Sequence, residues 1–158
     1  MLVIGVDAPQ GWCCLDVVAG KGTLLGLGSL DEGEEAMELT KYIARHRPAL
    51  VVIERPSEIY TGGRGDDEEA HIRRSVGAGL ISTAEVSGEL KHACRLANVK
   101  WKMTDASEVR RCMKVRGRSR EEKDRDVARV VGMLIAGWPK RTNTHERDAA
   151  LAALWGSQ

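Results

Sequence analysis

The sequence predicts a mixed α/β fold, a five-stranded sheet flanked by helices. Two observations lead to this class. Three β-type segments separated by turn residues occupy residues 2–30, which is typical of an antiparallel meander, and after residue 31 helical segments alternate with two further β-type segments. Strands that alternate with helices pair in parallel through right-handed crossovers, so we expect the meander to continue into a parallel part of the same sheet.

The meander begins with the run LVIGVDA, which ends at Asp7 and is followed by the turn residues Pro9 and Gly11. The segments WCCLDVVAG and GTLLGLGSL follow and are separated by GKG. Asp31 with Glu34 three residues later resembles a capping box, and the amphipathic segment behind them predicts a helix that ends before Pro48. The next strand, ALVVIER, is apolar on both faces until Glu54, as expected for a strand covered by helices on both sides.

The second half of the chain is predicted to be mostly helical. Residues 56–69 combine Pro, Gly and charges and predict a loop, and a long helix rich in small residues is expected over 68–98. Its small residues would fit either a second copy of the chain or close packing against the sheet. VKWKMT predicts the fifth strand. Asp105 and Glu108 predict a capped short helix, REEKDRDVARVVGMLIAG a further helix, and the last helix starts around Thr144.

Length and composition are those of one ordinary domain, which we expect to span residues 1–158. No apolar run approaches the roughly 18 residues of a membrane span. The N-terminal residues do not have the pattern of a signal peptide, so a cytoplasmic location is expected. Adjacent Cys13 and Cys14, with Cys94 and Cys112 apart from them, have no metal-ligand spacing and are expected to be reduced thiols.

Positive charge is concentrated in residues 110–129, although the net charge is only +1. This basic segment is a candidate anion-binding surface. Arginines on a Gly-containing loop have no helical partners, whereas acids and bases further along could simply pair on solvated helix faces. The candidates in the segment are Arg110, Lys114, Arg116, Arg118 and Arg120, and the three loop arginines, Arg116, Arg118 and Arg120, are the stronger ones.

Acidic residues end two predicted buried strands, Asp7 the first and Glu54 the fourth. A charge at the end of a buried strand is costly unless it is compensated, and a divalent cation would compensate it. His145 and Asp148 lie three apart at the head of the last helix and therefore share a face. Several carboxylates suit Mg²⁺ or Mn²⁺, an imidazole favours Mn²⁺, and such a cluster fits two-metal phosphodiester hydrolysis.

Each of these residues also has an ordinary structural interpretation. Asp7 could be a turn residue, and Glu54 could form a surface pair with Arg55. Asp148 could be a first-turn acid favoured by the helix dipole, with His145 beside it by chance. The order and placement of all four favour the metal site.

The chain resembles the RuvC-like Holliday junction resolvases of the RNase H superfamily. The resemblance rests on VIGVDAPQG, on VVIERP and on THERDAALAAL with its H-x-x-D-A pattern, and runs from residue 2 to 156. It implies an RNase H-like fold with Asp7 as the bridging carboxylate and Glu54, His145 and Asp148 as the other metal ligands. The chain departs from the family in reading DAPQ where D-P-G is common, and its loop after Glu54 is longer and acidic.

The resemblance also implies two ions per active site, Mg²⁺ with Mn²⁺ as a substitute. Lys123 corresponds to the family's lysine near the scissile phosphate, and Tyr60 is the candidate for the aromatic that stacks at the junction centre. The implied activity is symmetric paired nicking of four-way DNA by a homodimer in a bacterial cell or a phage-infected host. Any branch-migration helicase is expected to be a separate chain. Two alternatives are a nuclease for RNA or RNA–DNA hybrid, and a junction-binding protein without catalysis.

Overall fold

A computed structural model gives the structure of residues 1–7, 11–55 and 85–158. The predicted loop over 56–69, most of the helix predicted over 68–98, and Tyr60 lie outside these residues.

One mixed sheet contains the strands of the described ranges, in the order β5-β4-β1-β2-β3-β6. β1 pairs antiparallel with β2 and β2 with β3, which confirms the predicted meander. β1 pairs in parallel with β4, β4 with β5, and β3 with β6. The strands are β1 (Leu2–Asp7), β2 (Gly11–Val18), β3 (Lys21–Ser29), β4 (Leu50–Arg55), β5 (Trp101–Asp105) and β6 (Ile135–Ala136).

The sixth strand is the difference from the predicted five. The sequence predicts a helix that continues through Ile135, whereas the helix ends at Leu134 and the chain turns at Gly137, which has a φ of 79°. Ile135 and Ala136 instead pair with the outer edge of β3. Two residues are too short for a period-2 pattern, so the sequence carries no signal for this strand.

Five helices flank the sheet in the described ranges: α1 (Glu35–His46), α2 (described over 85–96), α3 (Ala106–Cys112), α4 (Arg120–Leu134) and α5 (Thr144–Gly156). The predicted cap of α3 is confirmed, since the Asp105 carboxylate accepts a hydrogen bond from the Glu108 backbone N–H at 2.8 Å. The predicted capping box of α1 does not form. Glu34 is itself the N-cap without a side-chain cap bond, and the Asp31 N–H donates to Glu38 instead.

The central strands β1 and β4 are buried on both faces because helices cover both. Along β1, Val3 packs on the face of α3, α4 and α5, whereas Ile4 and Val6 pack on the face of α1 and α2. α5 lies directly on the sheet, and its residues from Asp148 to Trp155 are all buried. Cys13, Cys14 and Cys94 are buried free thiols and Cys112 is exposed, as expected. Within residues 1–7, 11–55 and 85–158, every helix is too short or too polar to span a bilayer.

Candidate active site

Two acidic side chains lie side by side where β1 and β4 end. The parallel register places Asp7 opposite Glu54. Side chains alternate between the faces of a strand, so Asp7 shares the face of Val3, and Glu54 shares the face of Val52. Val3 and Val52 both belong to the core under α5. Both carboxylates are therefore directed to the face that α5 covers, and Glu54 is only 8% exposed.

The first turn of α5 supplies the other two predicted ligands. Asn143 caps the helix, accepting from the Glu146 N–H at 2.8 Å, and the Glu146 carboxylate accepts from the Asn143 N–H at 2.9 Å. This capping box fixes where the helix begins, so His145 and Asp148 fall one turn apart on the side of the sheet edge. The Nδ1 of His145 lies 2.7 Å from the Oδ2 of Asp7, in a hydrogen bond that joins α5 to β1.

Glycines allow α5 to come this close to the strands. A Cβ on Gly5 would overlap the carbonyl oxygen of Ala149 and lie 2.8 Å from the backbone nitrogen of Ala153. A Cβ on Gly11 would lie 2.5 Å from the backbone carbonyl oxygen of His145. Only glycine fits at both positions. The backbone of α5 therefore packs directly against the backbone of β1 and β2, and this contact determines the distance between the helix and the strands.

A cation from α3 enters the same cluster. One terminal guanidinium nitrogen of Arg110 contacts both carboxylate oxygens of Asp148, at 3.1 and 2.9 Å, and lies 4.0 Å from Asp124 at the start of α4. Sequence reasoning assigned Arg110 to the DNA-binding surface with the other basic residues. A usable signal was its position on the helix after β5, because β5 neighbours β4 and so brings α3 to the sheet edge that holds Glu54.

The carboxyl groups of the cluster have raised pKa values because they are buried close to one another. Burial raises the pKa of Asp7 to about 6, against a lowering effect of its hydrogen bond with His145. Burial, and then the neighbouring charges of Asp7 and Asp148, hold the pKa of Glu54 well above its usual range. Burial also raises the pKa of Asp148, although Arg110 opposes this. The charge of Arg110 alone therefore does not compensate all three carboxylates, and further positive charge would favour their ionised forms.

The donor set fits a hard divalent cation, since it offers three carboxylates and one imidazole. In the described part of the chain, however, no three such side chains already stand at the spacing of a metal-ligand set. The reason is visible in the contacts: His145 holds Asp7, and Arg110 holds Asp148. The Arg110 contact engages both oxygens of Asp148 and would have to rearrange for a metal ion to bind there, whereas the His145 contact engages one oxygen of Asp7.

Lys123 lies near this cluster but not in contact with it. It is exposed on the first turn of α4, next to Asp124, and lines a cleft of about 470 Å³ together with Arg110 and Arg111. The cleft opens between α3 and α4, so a phosphate bound there would lie beside the carboxylates. The remaining walls are Ala106, Ser107 and Val115.

The other basic residues of the predicted surface are exposed around the connection between α3 and α4: Lys114, Arg116, Arg118 and Arg120. Acidic side chains of α4 hold the backbone of this connection. Asp126 accepts from the Arg116 N–H at 2.7 Å, and Glu122 accepts from the Arg118 N–H at 2.7 Å. The loop is thus tied to α4 through its amides, while its arginine side chains remain at the surface.

Comparisons with known proteins agree with this architecture. No protein-family model matches the chain, and no curated protein matches it by sequence. Among solved structures, Thermus thermophilus RuvC in complex with a Holliday junction substrate aligns with a TM-score of 0.70 at 18% identity, over 99% of this chain and 93% of that one. A second T. thermophilus RuvC structure aligns with a TM-score of 0.63 at 18% identity over the same shares of both chains.

The yeast mitochondrial Holliday junction resolvase Ydc2 aligns with a TM-score of 0.55 at 13% identity, over 98% of this chain and 75% of that one. At these identities the alignments report on architecture alone. They confirm the fold that the sequence resemblance predicted: the chain has the RNase H-like fold of the RuvC-type Holliday junction resolvases.

Proposed function

We propose that this chain is a metal-dependent endonuclease that resolves four-way DNA junctions by paired, symmetric nicks. The observation that carries the proposal is the convergence of Asp7, Glu54, Asp148 and His145 from β1, β4 and α5 at one edge of the sheet. Mutually repelling, buried carboxylates are costly to keep unless they serve a site. The likeness to resolvases supports the choice of reaction, although fold by itself does not determine function.

The four residues of the cluster, Asp7, Glu54, His145 and Asp148, would hold two Mg²⁺ or Mn²⁺ ions. Bound in this way, divalent ions lower the pKa of an attacking water and neutralise the leaving 3′-oxygen of the scissile phosphodiester. Their positive charge would favour the ionised forms of Glu54 and Asp7, which burial disfavours.

The chain's own residues supply position and a dry environment. Burial of Glu54 and Asp148 keeps solvent away from the oxygens that must hold cations. Lys123, on the wall of the cleft beside the cluster, would contact the scissile phosphate and offset its charge. Lys114, Arg116, Arg118 and Arg120 would follow the DNA backbone beyond it.

A four-way junction has two-fold related strands, so paired nicks are achieved most simply by a homodimer with two active sites. The segment 68–98, predicted to be a helix and described over 85–96 as α2, is the proposed interface. Tyr60, which lies outside the described residues, is the proposed stacking aromatic. We propose a location in the cytoplasm of a bacterial cell or of a phage-infected bacterial host, with any branch-migration helicase as a separate partner.

The test is cleavage of a synthetic four-way junction beside a matched linear duplex and an RNA–DNA hybrid, each with Mg²⁺, Mn²⁺ or EDTA. Nicks are mapped on every labelled strand. We expect paired symmetric nicks on the junction, with 5′-phosphate ends, and no nicks in EDTA. The Asp7→Asn variant should abolish cutting while retaining junction binding, because a metal ligand is lost.

Other outcomes assign a different function. Cutting mainly of the hybrid would identify a ribonuclease of the same fold. Junction binding without cutting under every metal would identify a binding protein. A fully active Asp7→Asn variant would remove Asp7 from the ligand set.

A further inference from the structure

Arg110 has a position that differs from that of the other basic residues in 110–129. Its guanidinium is directed into the acidic cluster, with a side chain only 26% exposed and a partner, Asp148, whose side chain is 10% exposed. Its charge also acts on Asp7 and Glu54, opposing the rise of their pKa values. Arg110 is therefore a counter-charge shared by three carboxylates rather than half of a surface ion pair.

The contact with Asp148 uses only one of the three guanidinium nitrogens of Arg110. A single terminal nitrogen bonds both carboxylate oxygens. The usual strong arrangement pairs two nitrogens with two oxygens in a fork. The Nε of Arg110 is buried and has no hydrogen-bond partner in the described ranges. The pair is thus incompletely satisfied and can be displaced at lower cost than a two-nitrogen pair.

We propose that Arg110 is an internal competitor of the divalent cation: it neutralises the carboxylate cluster in the metal-free protein and must leave Asp148 when a cation binds. This inference rests on the proposed metal site. Both Asp148 oxygens already contact the guanidinium, so a cation on that carboxylate would lie a few ångströms from an arginine charge. Repulsion at such a distance inside a buried cluster is large, and the two cations exclude each other.

Arg110 has a second environment within reach. Its side chain lines the cleft of about 470 Å³ that Arg111 and Lys123 also border. A guanidinium displaced from Asp148 would enter this cleft, where a DNA phosphate is the expected counter-ion. Cation binding in the cluster and phosphate binding in the cleft would then favour each other, since linkage between two sites is reciprocal.

The test compares Arg110→Gln with Arg111→Gln, which removes the same charge from the exposed neighbouring position of α3. Mn²⁺ affinity is measured by titration calorimetry on the full chain, and thermal unfolding is followed in EDTA and in saturating Mn²⁺. We expect Arg110→Gln to raise the Mn²⁺ affinity roughly tenfold, in the range typical of coupled sites. It should also lower the Tm in EDTA and enlarge the Tm increase that Mn²⁺ produces. Arg111→Gln should change none of these by a comparable amount.

If the contact between Arg110 and Asp148 only joins α3 to α5, Arg110→Gln should weaken Mn²⁺ binding, because the Asp148 side chain would be held less firmly. Unchanged or weaker Mn²⁺ binding by Arg110→Gln therefore overturns the inference, and so does an equal effect of Arg111→Gln. If Arg110→Gln does not fold, Arg110→Lys is used. It keeps the charge but loses the planar donor, and a gain in Mn²⁺ affinity smaller than tenfold is expected, whereas no gain overturns the inference.

Glu54→Gln separates this inference from the proposed function. If it abolishes Mn²⁺ binding while Arg110→Gln brings no gain, the metal site stands and the competition is wrong. If Glu54→Gln leaves Mn²⁺ binding intact, the proposed ligand set fails and Arg110→Gln alone decides the competition. If Mn²⁺ does not bind at all, both fail.

Discussion

Burial makes ionisation of Asp7 costly in the metal-free protein. Its pKa is about 6 in the folded chain against an ordinary value of 3.8, so between these pH values the folded state binds more protons than the unfolded state. Stability linked to this group is present below pH 3.8 and is lost as the pH rises through about 6. Glu54 and Asp148, whose pKa values are also raised, contribute in the same direction.

We therefore predict that Asp7→Asn becomes more stable relative to the parent protein as the pH rises. In EDTA, the difference in unfolding free energy should grow by about 2 to 3 kcal/mol between pH 4 and pH 7, since one pKa unit corresponds to about 1.4 kcal/mol. Chemical denaturation at a series of pH values measures it. Asp31→Asn, at an exposed position, is the control and should show no such growth. A constant Asp7→Asn difference from pH 4 to pH 7 would contradict the assigned burial.

At the residue scale, the sequence was sufficient to predict the positions of side chains that end a strand or begin a helix. Asp7, Glu54, His145 and Asp148 lie at the same end of the sheet, because register and helical spacing determine their neighbours. Their role as metal ligands stays a prediction. The pairing of Arg110 with Asp148 could not be predicted in the same way. The position of Arg110 on the helix after β5 indicated that it lies near Glu54, but the pairing itself depends on how α3 packs against α5. Charge density alone placed Arg110 with the surface arginines.

At the scale of elements, the approach of α5 to β1 decides whether the site forms. The order of strands and helices was predictable because apolar runs, caps and turns are local signals. The short strand β6 and the missing cap at Asp31 were not, because edge pairing and helix entry depend on tertiary contacts. The glycines that allow close packing could be recognised in the sequence but not assigned to a partner.

We predict that Gly5→Ala separates α5 from the sheet. The added methyl group would overlap the Ala149 carbonyl, and a backbone atom cannot move aside as a side chain can. Overpacking of this kind costs about 1 to 3 kcal/mol, and we expect the upper end together with loss of Mn²⁺ binding. Thermal unfolding and Mn²⁺ calorimetry measure the two effects.

Gly132→Ala is the matched control for this change. A Cβ at Gly132 in α4 meets no atom within 4 Å, and alanine is the better helix former, so stability should rise by up to about 1 kcal/mol. Equal stabilities of the two variants would show that the contact between β1 and α5 is looser than described.

At the scale of the whole molecule, the two faces of the sheet have different roles. α1 and α2 cover one face, and α3, α4 and α5 cover the other. The carboxylate cluster, the cleft of Lys123 and the basic connection between α3 and α4 all belong to the second face and its edge. The cluster and the arginines of the connection therefore lie on the same side of the sheet, whereas α1 with its basic residues lies on the opposite side.

We predict that the double variant Arg118→Gln, Arg120→Gln binds a four-way junction in EDTA roughly tenfold more weakly at moderate salt. In the described ranges these two side chains form no ion pair, so their charges are available to phosphates. Each phosphate contact contributes about 0.9 to the slope of log affinity against log salt concentration, so the slope should fall in magnitude by about 2. Fluorescence anisotropy across a salt series measures both quantities. Lys41→Gln, Arg45→Gln on α1 removes the same charge from the other face and should alter neither; a loss of affinity equal for both pairs would mean that net charge, and not the connection between α3 and α4, attracts the DNA.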